Sequence, residues 1–283
     1  DKDRAKNLFA LGMVYFLYSR PLEYTVDWLN NKFKSKPDVA AANVKTLKTG
    51  YYYAETAEVF RSTYVVPEAQ VAPGPYRNLT GNQATALGLV AAGHKADLNL
   101  FLGSYPITPA SDILHELSNL RAHGVRTLQA EDEIAAICSA IGASYAGSLG
   151  ITSTSGPGLA LKGEALGLAM ILEVPLVVIN VQRGGPSTGL PTKTEQADLL
   201  MALYGRNGES PLPIVAASSP ADCFEAAFEA ARIAISTRTP VLLLTDGYLA
   251  NGSEPWAIPN ADDLPAIAPN FLLETDNLQP YSR

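Results

Sequence analysis

A single arginine set among glycines is the most chemically pointed feature of this chain. Gln182-Arg183-Gly184-Gly185-Pro186-Ser187-Thr188-Gly189 places a guanidinium beside backbone that can approach a ligand closely. A guanidinium is a fork matched to carboxylates and phosphates. Three further segments are short, polar and shaped by Gly or Pro. Glu131-Asp132-Glu133 groups three carboxylates at a predicted helix start. Surface acids are also favoured there by the helix dipole alone. Tyr105-Pro106-Ile107-Thr108-Pro109 is either a binding loop or a turn, with Thr108 or Ser111 as the cap of the next helix. Thr154-Ser155-Gly156-Pro157-Gly158 could be no more than a strand-to-helix connection.

What makes these four segments count together is where they fall. The predicted strands are 98–102, 127–129, 149–152, 176–181, 214–216 and 241–245. The predicted helices are about 82–94, 111–123, 133–146, 159–172, 194–204 and 220–236. Strand–helix alternation with wholly apolar strands predicts a doubly wound, mostly parallel α/β sheet covered on both faces. Ligands bind such sheets beyond the carboxyl ends of the strands. Each of the four segments follows a predicted strand, so all four fall on that one edge. Ahead of the sheet, residues 1–65 read as helices, with Leu8, Leu11, Val14 and Leu17 at helical spacing and Pro21 ending the first. Residues 66–79 are Pro/Gly-dense and read as an extended linker, which leaves a sheet domain over 80–256 and a weakly patterned extension over 257–283.

The composition narrows the function classes. In 283 residues, 47% are hydrophobic and 17% charged, an ordinary globular balance that excludes disorder, coiled coil and collagen. A net charge of −7 argues against a nucleic-acid surface. Two cysteines, Cys138 and Cys223, exclude a disulfide framework or an iron–sulfur cluster held by this chain alone. Both read as core residues. Residues 134–161 carry no charge, but serines, threonines and Gly156-Pro157-Gly158 break the run, so it reads as a helix, strand and loop and not a membrane span. His94, His115 and His123 lack metal-ligand spacing. No P-loop, complete dinucleotide fingerprint or nucleophile elbow is present. No signal peptide is visible, and a cytoplasmic protein is expected; the start at Asp1 without Met suggests a processed piece or fragment.

Residues 81–255 resemble the pyrimidine-binding domain of the 2-oxoacid:ferredoxin oxidoreductases, most closely the alpha subunits of the 2-oxoglutarate enzymes. The motifs that carry the resemblance are Gly81-Asn82, Tyr105–Pro109, Glu131-Asp132-Glu133-Ile134-Ala135-Ala136, Thr154–Gly158 and Gln182–Gly189. They are specific in combination; Thr154–Gly158 alone recurs in acetolactate-synthase-like thiamine enzymes. Residues 1–65 are similar to the end of a gamma-type domain that precedes the pyrimidine domain in that family.

The resemblance implies thiamine diphosphate, bound between two domains. It assigns Glu133, nine residues before Gly142, to N1′ of the aminopyrimidine, with Glu131 as the fallback. It assigns Thr108 and Arg183 to the substrate carboxylate. Tyr105, Pro106, Ile107, Ser155, Gly156 and Pro157 are expected around the cofactor. The implied reaction is CoA-dependent oxidative decarboxylation of 2-oxoglutarate to succinyl-CoA and carbon dioxide with reduction of ferredoxin, or the reverse carboxylation. The second substrate carboxylate would need its own cation, for which Lys193 is a weak candidate.

The family's Gly-Asp-Gly…Asn motif for magnesium and diphosphate is not found, since Asp246-Gly247 follows Thr245 and no suitable Asn closes it. Magnesium, the diphosphate contacts and a [4Fe-4S] cluster are therefore expected on a beta subunit, in a heterodimer or a pair of them. The alternatives are a pyruvate or broad 2-oxoacid enzyme, a non-redox thiamine lyase and a non-catalytic subunit.

Overall fold

The computed structural model describes residues 2–269, so residues 270–283 of the expected C-terminal extension lie outside the described part. The chain divides into two compact units, 1–73 and 74–283.

The first unit is helical: α1 (Lys2–Leu17), α2 (Glu23–Lys32) and α3 (Pro37–Thr56). Pro37 occupies the first turn of α3, where a missing N–H costs nothing. α1 and α3 meet through glycines. A Cβ at Gly12 would run into Leu47 O, and one at Gly50 into Phe9 O. That close approach sets Phe16 edge-on to Tyr51 at 5.5 Å between ring centroids.

The second unit is an α/β sheet domain. Its elements are β1 (Tyr76–Thr80), α4 (Gly81–Ala96), β2 (Leu100–Ser104), α5 (Ser111–Ser118), β3 (Val125–Gln129), α6 (Glu133–Tyr145), β4 (Leu149–Thr154), α7 (Gly156–Leu161), α8 (Gly163–Ile171), β5 (Leu176–Gln182), α9 (Leu199–Tyr204), β6 (Ile214–Ala216), α10 (Asp222–Thr237), β7 (Pro240–Asp246), α11 (Gly247–Asn251) and β8 (Ser253–Ala257). Strands β2 to β7 form one sheet in the order β3-β2-β4-β5-β7-β6, parallel at every pairing.

The core follows from strand alternation. Val177, Ile179, Val181, Val241 and Leu243 face a layer built from α4, α5 and α10. Leu176, Val178, Leu242 and Leu244 face a layer built from α6, α7, α8 and α9. Helices thus cover both faces, as the sequence predicts. From β2 the chain steps out to β3, then returns past β2 to β4. This reversal opens a crevice at the carboxyl ends of β2 and β4, the favoured ligand position in such sheets.

Several local expectations are corrected. The predicted strand 98–102 is displaced to Leu100–Ser104, because Ser104 pairs with Gln129 and its hydroxyl meets that of Ser153 at 2.8 Å. The predicted helix 159–172 is two helices broken at Lys162. Only 199–204 of the predicted helix 194–204 is helical, since Gln196 and Asp198 bond to β7 and β5 instead. Cys138 is exposed, not core, while Cys223 is buried. β1, which starts inside the stretch read as linker, pairs antiparallel with β8, a pairing the sequence did not announce.

Candidate active site

Two side-chain clusters form along the carboxyl edge of the sheet. The first is built on the start of α6. Asp132 caps this helix, its carboxylate accepting from Ala135 N at 2.7 Å. The cap leaves Asp132 and Glu131 exposed and turns Glu133, the first helical residue, inward, where it is 9% exposed. Glu133 packs against the β4–α7 bend. A Cβ at Gly158 would overlap Thr154 Oγ1 and lie 2.8 Å from Glu133 Cγ. Glycine is therefore required there by contact.

Beneath Glu133 lies a residue the sequence reading did not single out. Lys162 is fully buried, and its ammonium donates to the main-chain oxygen of Glu133 at 2.7 Å. Burial lowers its pKa to about 8, against the upward pull of the Glu133 and Asp132 carboxylates. The signal was available: Lys162 is the first charge after the uncharged run 134–161 and sits where a regular helix was expected.

The second cluster is built on the loop after β5. Arg183 is 8% exposed, and its guanidinium donates to Thr108 O at 2.6 Å and Thr188 O at 2.7 Å. It draws the Tyr105–Pro109 segment and its own loop together. Arg183 Nε is buried with no partner. Two of the five guanidinium N–H groups are thus committed to main-chain oxygens of the two loops. The Tyr105–Pro109 segment is held from behind by Asn82, whose amide donates to Pro109 O at 3.0 Å. Within it Thr108 and Pro106 are exposed, and Tyr105 and Ile107 half-buried. The loop closes on itself where Leu190 N donates to Gly184 O at 2.8 Å. Gly189 has φ +54°, and a Cβ there would collide with Gly184 O, so no other residue fits. Lys193 is exposed, its backbone paired with Gly184 and Leu190.

Asp198 ties β5 to the β4–α7 bend. It accepts from Asn180 Nδ2 at 2.9 Å, and its carboxylate lies 2.8 Å from where a Gly156 Cβ would be. The structure therefore gathers Glu133, Ser155, Gly156 and Gly158 on one side, and Thr108 and Arg183 on the other. Asn180, Asp198 and Lys162 join them as residues the motifs did not reveal. Among the described residues, no three His, Cys, Asp or Glu side chains converge to hold a metal ion.

Residues 92–282 match the family described as pyruvate flavodoxin/ferredoxin oxidoreductase, thiamine diphosphate-binding. This chain belongs to that family. The chain is 60% identical over its full length to the 2-oxoglutarate oxidoreductase subunit KorA of Mycobacterium tuberculosis, of which it spans 43%. It is 43% identical over 64% of its length to the 2-oxoglutarate synthase subunit KorA of Archaeoglobus fulgidus, spanning 51% of that protein. Among solved structures, a 2-oxoglutarate:ferredoxin oxidoreductase from Magnetococcus marinus, with 2-oxoglutarate, coenzyme A and succinyl-CoA bound, matches 94% of this chain at 37% identity. The TM-score is 0.79, and the match covers 46% of that chain. The chain thus spans about half the length of these relatives.

A thiamine diphosphate-binding family sets a test for the crevice, and the residues fit. Glu133 is a buried carboxylate at its mouth, and Ser155 Oγ is buried without a partner beside it.

Proposed function

We propose that this chain is part of the alpha subunit of a thiamine diphosphate-dependent 2-oxoacid:ferredoxin oxidoreductase acting on 2-oxoglutarate. The net reaction is oxidative decarboxylation: the bond from the 2-oxo carbon to the carboxylate breaks, and carbon dioxide leaves. Succinyl-CoA forms on coenzyme A, and the electron pair passes to ferredoxin. The reverse carboxylation runs through the same groups. The observation that carries this reading is a buried carboxylate and a buried, partly uncommitted guanidinium on one sheet edge. Each belongs to a motif of the family the chain matches.

The cofactor, when bound, supplies the nucleophilic carbon and the electron sink that decarboxylation needs. Glu133 holds or releases a proton at N1′ of the aminopyrimidine, with Glu131 too exposed to compete. Arg183 and Thr108 orient the substrate carboxylate. The planar guanidinium of Arg183 suits a carboxylate because it can bind it through two parallel hydrogen bonds. The unpaired Ser155 hydroxyl faces the cofactor, with Tyr105, Pro106, Ile107, Gly156 and Pro157 lining its flank. Lys193, exposed on the same loop, is the candidate cation for the second carboxylate.

A beta subunit completes the site with magnesium, diphosphate contacts and a [4Fe-4S] cluster, and the assembly works in the cytoplasm. No described helix is long and apolar enough to cross a membrane. The 60% identity to a 2-oxoglutarate oxidoreductase subunit supports the substrate assignment.

The test is anaerobic viologen reduction by the chain co-purified with its partner, given coenzyme A and either 2-oxoglutarate or pyruvate. Reduction with 2-oxoglutarate alone is expected. Reduction with pyruvate or many 2-oxoacids keeps the class and overturns the substrate. No reduction by a cluster-loaded complex overturns the class.

A further inference from the structure

The other edge of the sheet, at the amino ends of its strands, brings two histidines together. His94 lies in the last turn of α4, ahead of β2, and His123 ends a 3-10 turn, Arg121–His123, ahead of β3. They are 29 residues apart in sequence, so no spacing announced the pair. The backbone beside each is pinned. Leu98 N donates to Gly93 O at 3.0 Å next to His94, and Leu100 N donates to Gly124 O at 3.1 Å next to His123. From there β2 and β3 run parallel, Leu100 beside Val125. The fold thus fixes where both rings start, and it brings His94 Nε2 to 3.4 Å from His123 Nδ1. The ring planes cross at 79° with centroids 5.5 Å apart, so the imidazoles do not stack.

That separation exceeds the ~2.7–3.2 Å of a well-formed N–H···O hydrogen bond. It matches a different arrangement. Two imidazole nitrogens, each about 2.0–2.1 Å from one tetrahedral zinc ion, stand about 3.3–3.4 Å from each other. Imidazole suits zinc, copper and nickel, whereas magnesium and calcium take oxygen ligands. Both rings are exposed, so an ion can reach them from solvent. We propose that His94 Nε2 and His123 Nδ1 form a two-histidine site for a divalent metal ion of the zinc class, tying the end of α4 to the start of β3. Both nitrogens must then be bare, with the ring protons on His94 Nδ1 and His123 Nε2. Among the described residues no third His, Cys, Asp or Glu side chain converges on the pair, so water completes the coordination. The site stands at the edge of the sheet opposite Glu133 and Arg183 and does not depend on the role of either.

The test is calorimetric titration with zinc chloride of the chain with its co-purified partner, after dialysis against a chelator. The proteins compared are the wild type, His94→Gln, His123→Gln and His115→Gln, all three positions being exposed. The wild type and His115→Gln should bind one zinc ion per copy of this chain with the same affinity. His94→Gln and His123→Gln should each weaken that binding at least about tenfold, since losing even an outer-shell partner of a metal costs that much. Saturating zinc should also raise the melting temperature of the wild type and leave His94→Gln and His123→Gln unmoved, because an ion that binds the folded chain alone stabilises it. No zinc uptake by the wild type overturns the inference. Wild-type affinity in His94→Gln or in His123→Gln overturns it as well. An equal loss in His115→Gln does the same, because zinc would then answer to histidine content and not to this pair.

Discussion

The two clusters on the sheet edge are built by opposite means. The Glu133 cluster rests on regular structure: a capped helix start, the last residue of β4 and a lysine sealed beneath them. Its only glycine argument is contact, at Gly158. The Arg183 cluster rests on a loop. Its partners are main-chain oxygens of Thr108 and Thr188, and its shape depends on Gly189 at positive φ. Helix and strand termini hold a group more rigidly than loops do. On the proposed reading, Glu133 exchanges a proton at a fixed ring nitrogen and needs such rigidity. By the same reading, a guanidinium that binds the substrate carboxylate sits on a loop, as binding residues commonly do. The first cluster, so read, carries the chemistry and the second the binding of substrate.

Glu133→Gln should separate them most sharply. It removes the proton-handling group but changes little in shape. Turnover of the assembled complex should fall about 10²–10⁴-fold, the usual range for a general acid–base residue, while KM for 2-oxoglutarate changes little. Steady-state kinetics in viologen reduction decide it. Retained turnover would place the chemistry elsewhere.

Lys162 gives the next effect, read as stability. Its pKa falls from 10.5 in the unfolded chain to about 8 in the fold. Below pH 8 the lysine is charged in both states, and the full cost of burying it is present. Between pH 8 and 10.5 the folded state has released its proton and the unfolded state has not, so stability rises with pH. The span corresponds to about 3 kcal/mol. Lys162→Met should be the more stable protein at pH 7, and its advantage should shrink as pH climbs through 8 to 9.5. Urea unfolding followed by circular dichroism at several pH values checks the sign.

Gly158→Ala probes the same cluster from the other side. The new methyl would overlap Thr154 Oγ1 and press on Glu133 Cγ. Overpacking of this kind costs about 1–3 kcal/mol. We expect a lower melting temperature and weaker thiamine diphosphate binding. An unchanged affinity would show that the packing of Gly158 against Glu133 does not shape the cofactor site.

How much of this was readable differs between the clusters too. The parallel sheet was legible because β5 and β7 are mostly apolar and buried on both faces. The edge position of the four segments followed from it. Glu133 and Arg183 were nameable from motifs. What sequence could not supply was pairing at a distance. Ser104 looks like loop until Ser153 satisfies its hydroxyl. Residues 194–198 look helical until Gln196 reaches Asp246 and Asp198 reaches Asn180. In α6 nearly every position is apolar, so periodicity could not tell that Ile134, Cys138 and Tyr145 face outward. Lys162 was hidden by the prior that lysines are solvated.

The smallest expected effect tests the loop cluster. Arg183→Lys keeps the charge but loses the fork. An ammonium at that position can satisfy Thr108 O or Thr188 O, but not hold both at 2.6 and 2.7 Å in one plane and still offer donors to a carboxylate. The loops should loosen while the electrostatic attraction for the substrate persists. KM for 2-oxoglutarate should therefore rise about tenfold, the equivalent of one net charge-assisted hydrogen bond of about 1.5 kcal/mol, with kcat nearly unchanged. If selection resides in this loop, the ratio of kcat/KM between 2-oxoglutarate and pyruvate should shift as well. A fall in kcat with KM constant would break the division between the clusters, because it would place Arg183 in the bond-breaking step and not in the choice of substrate.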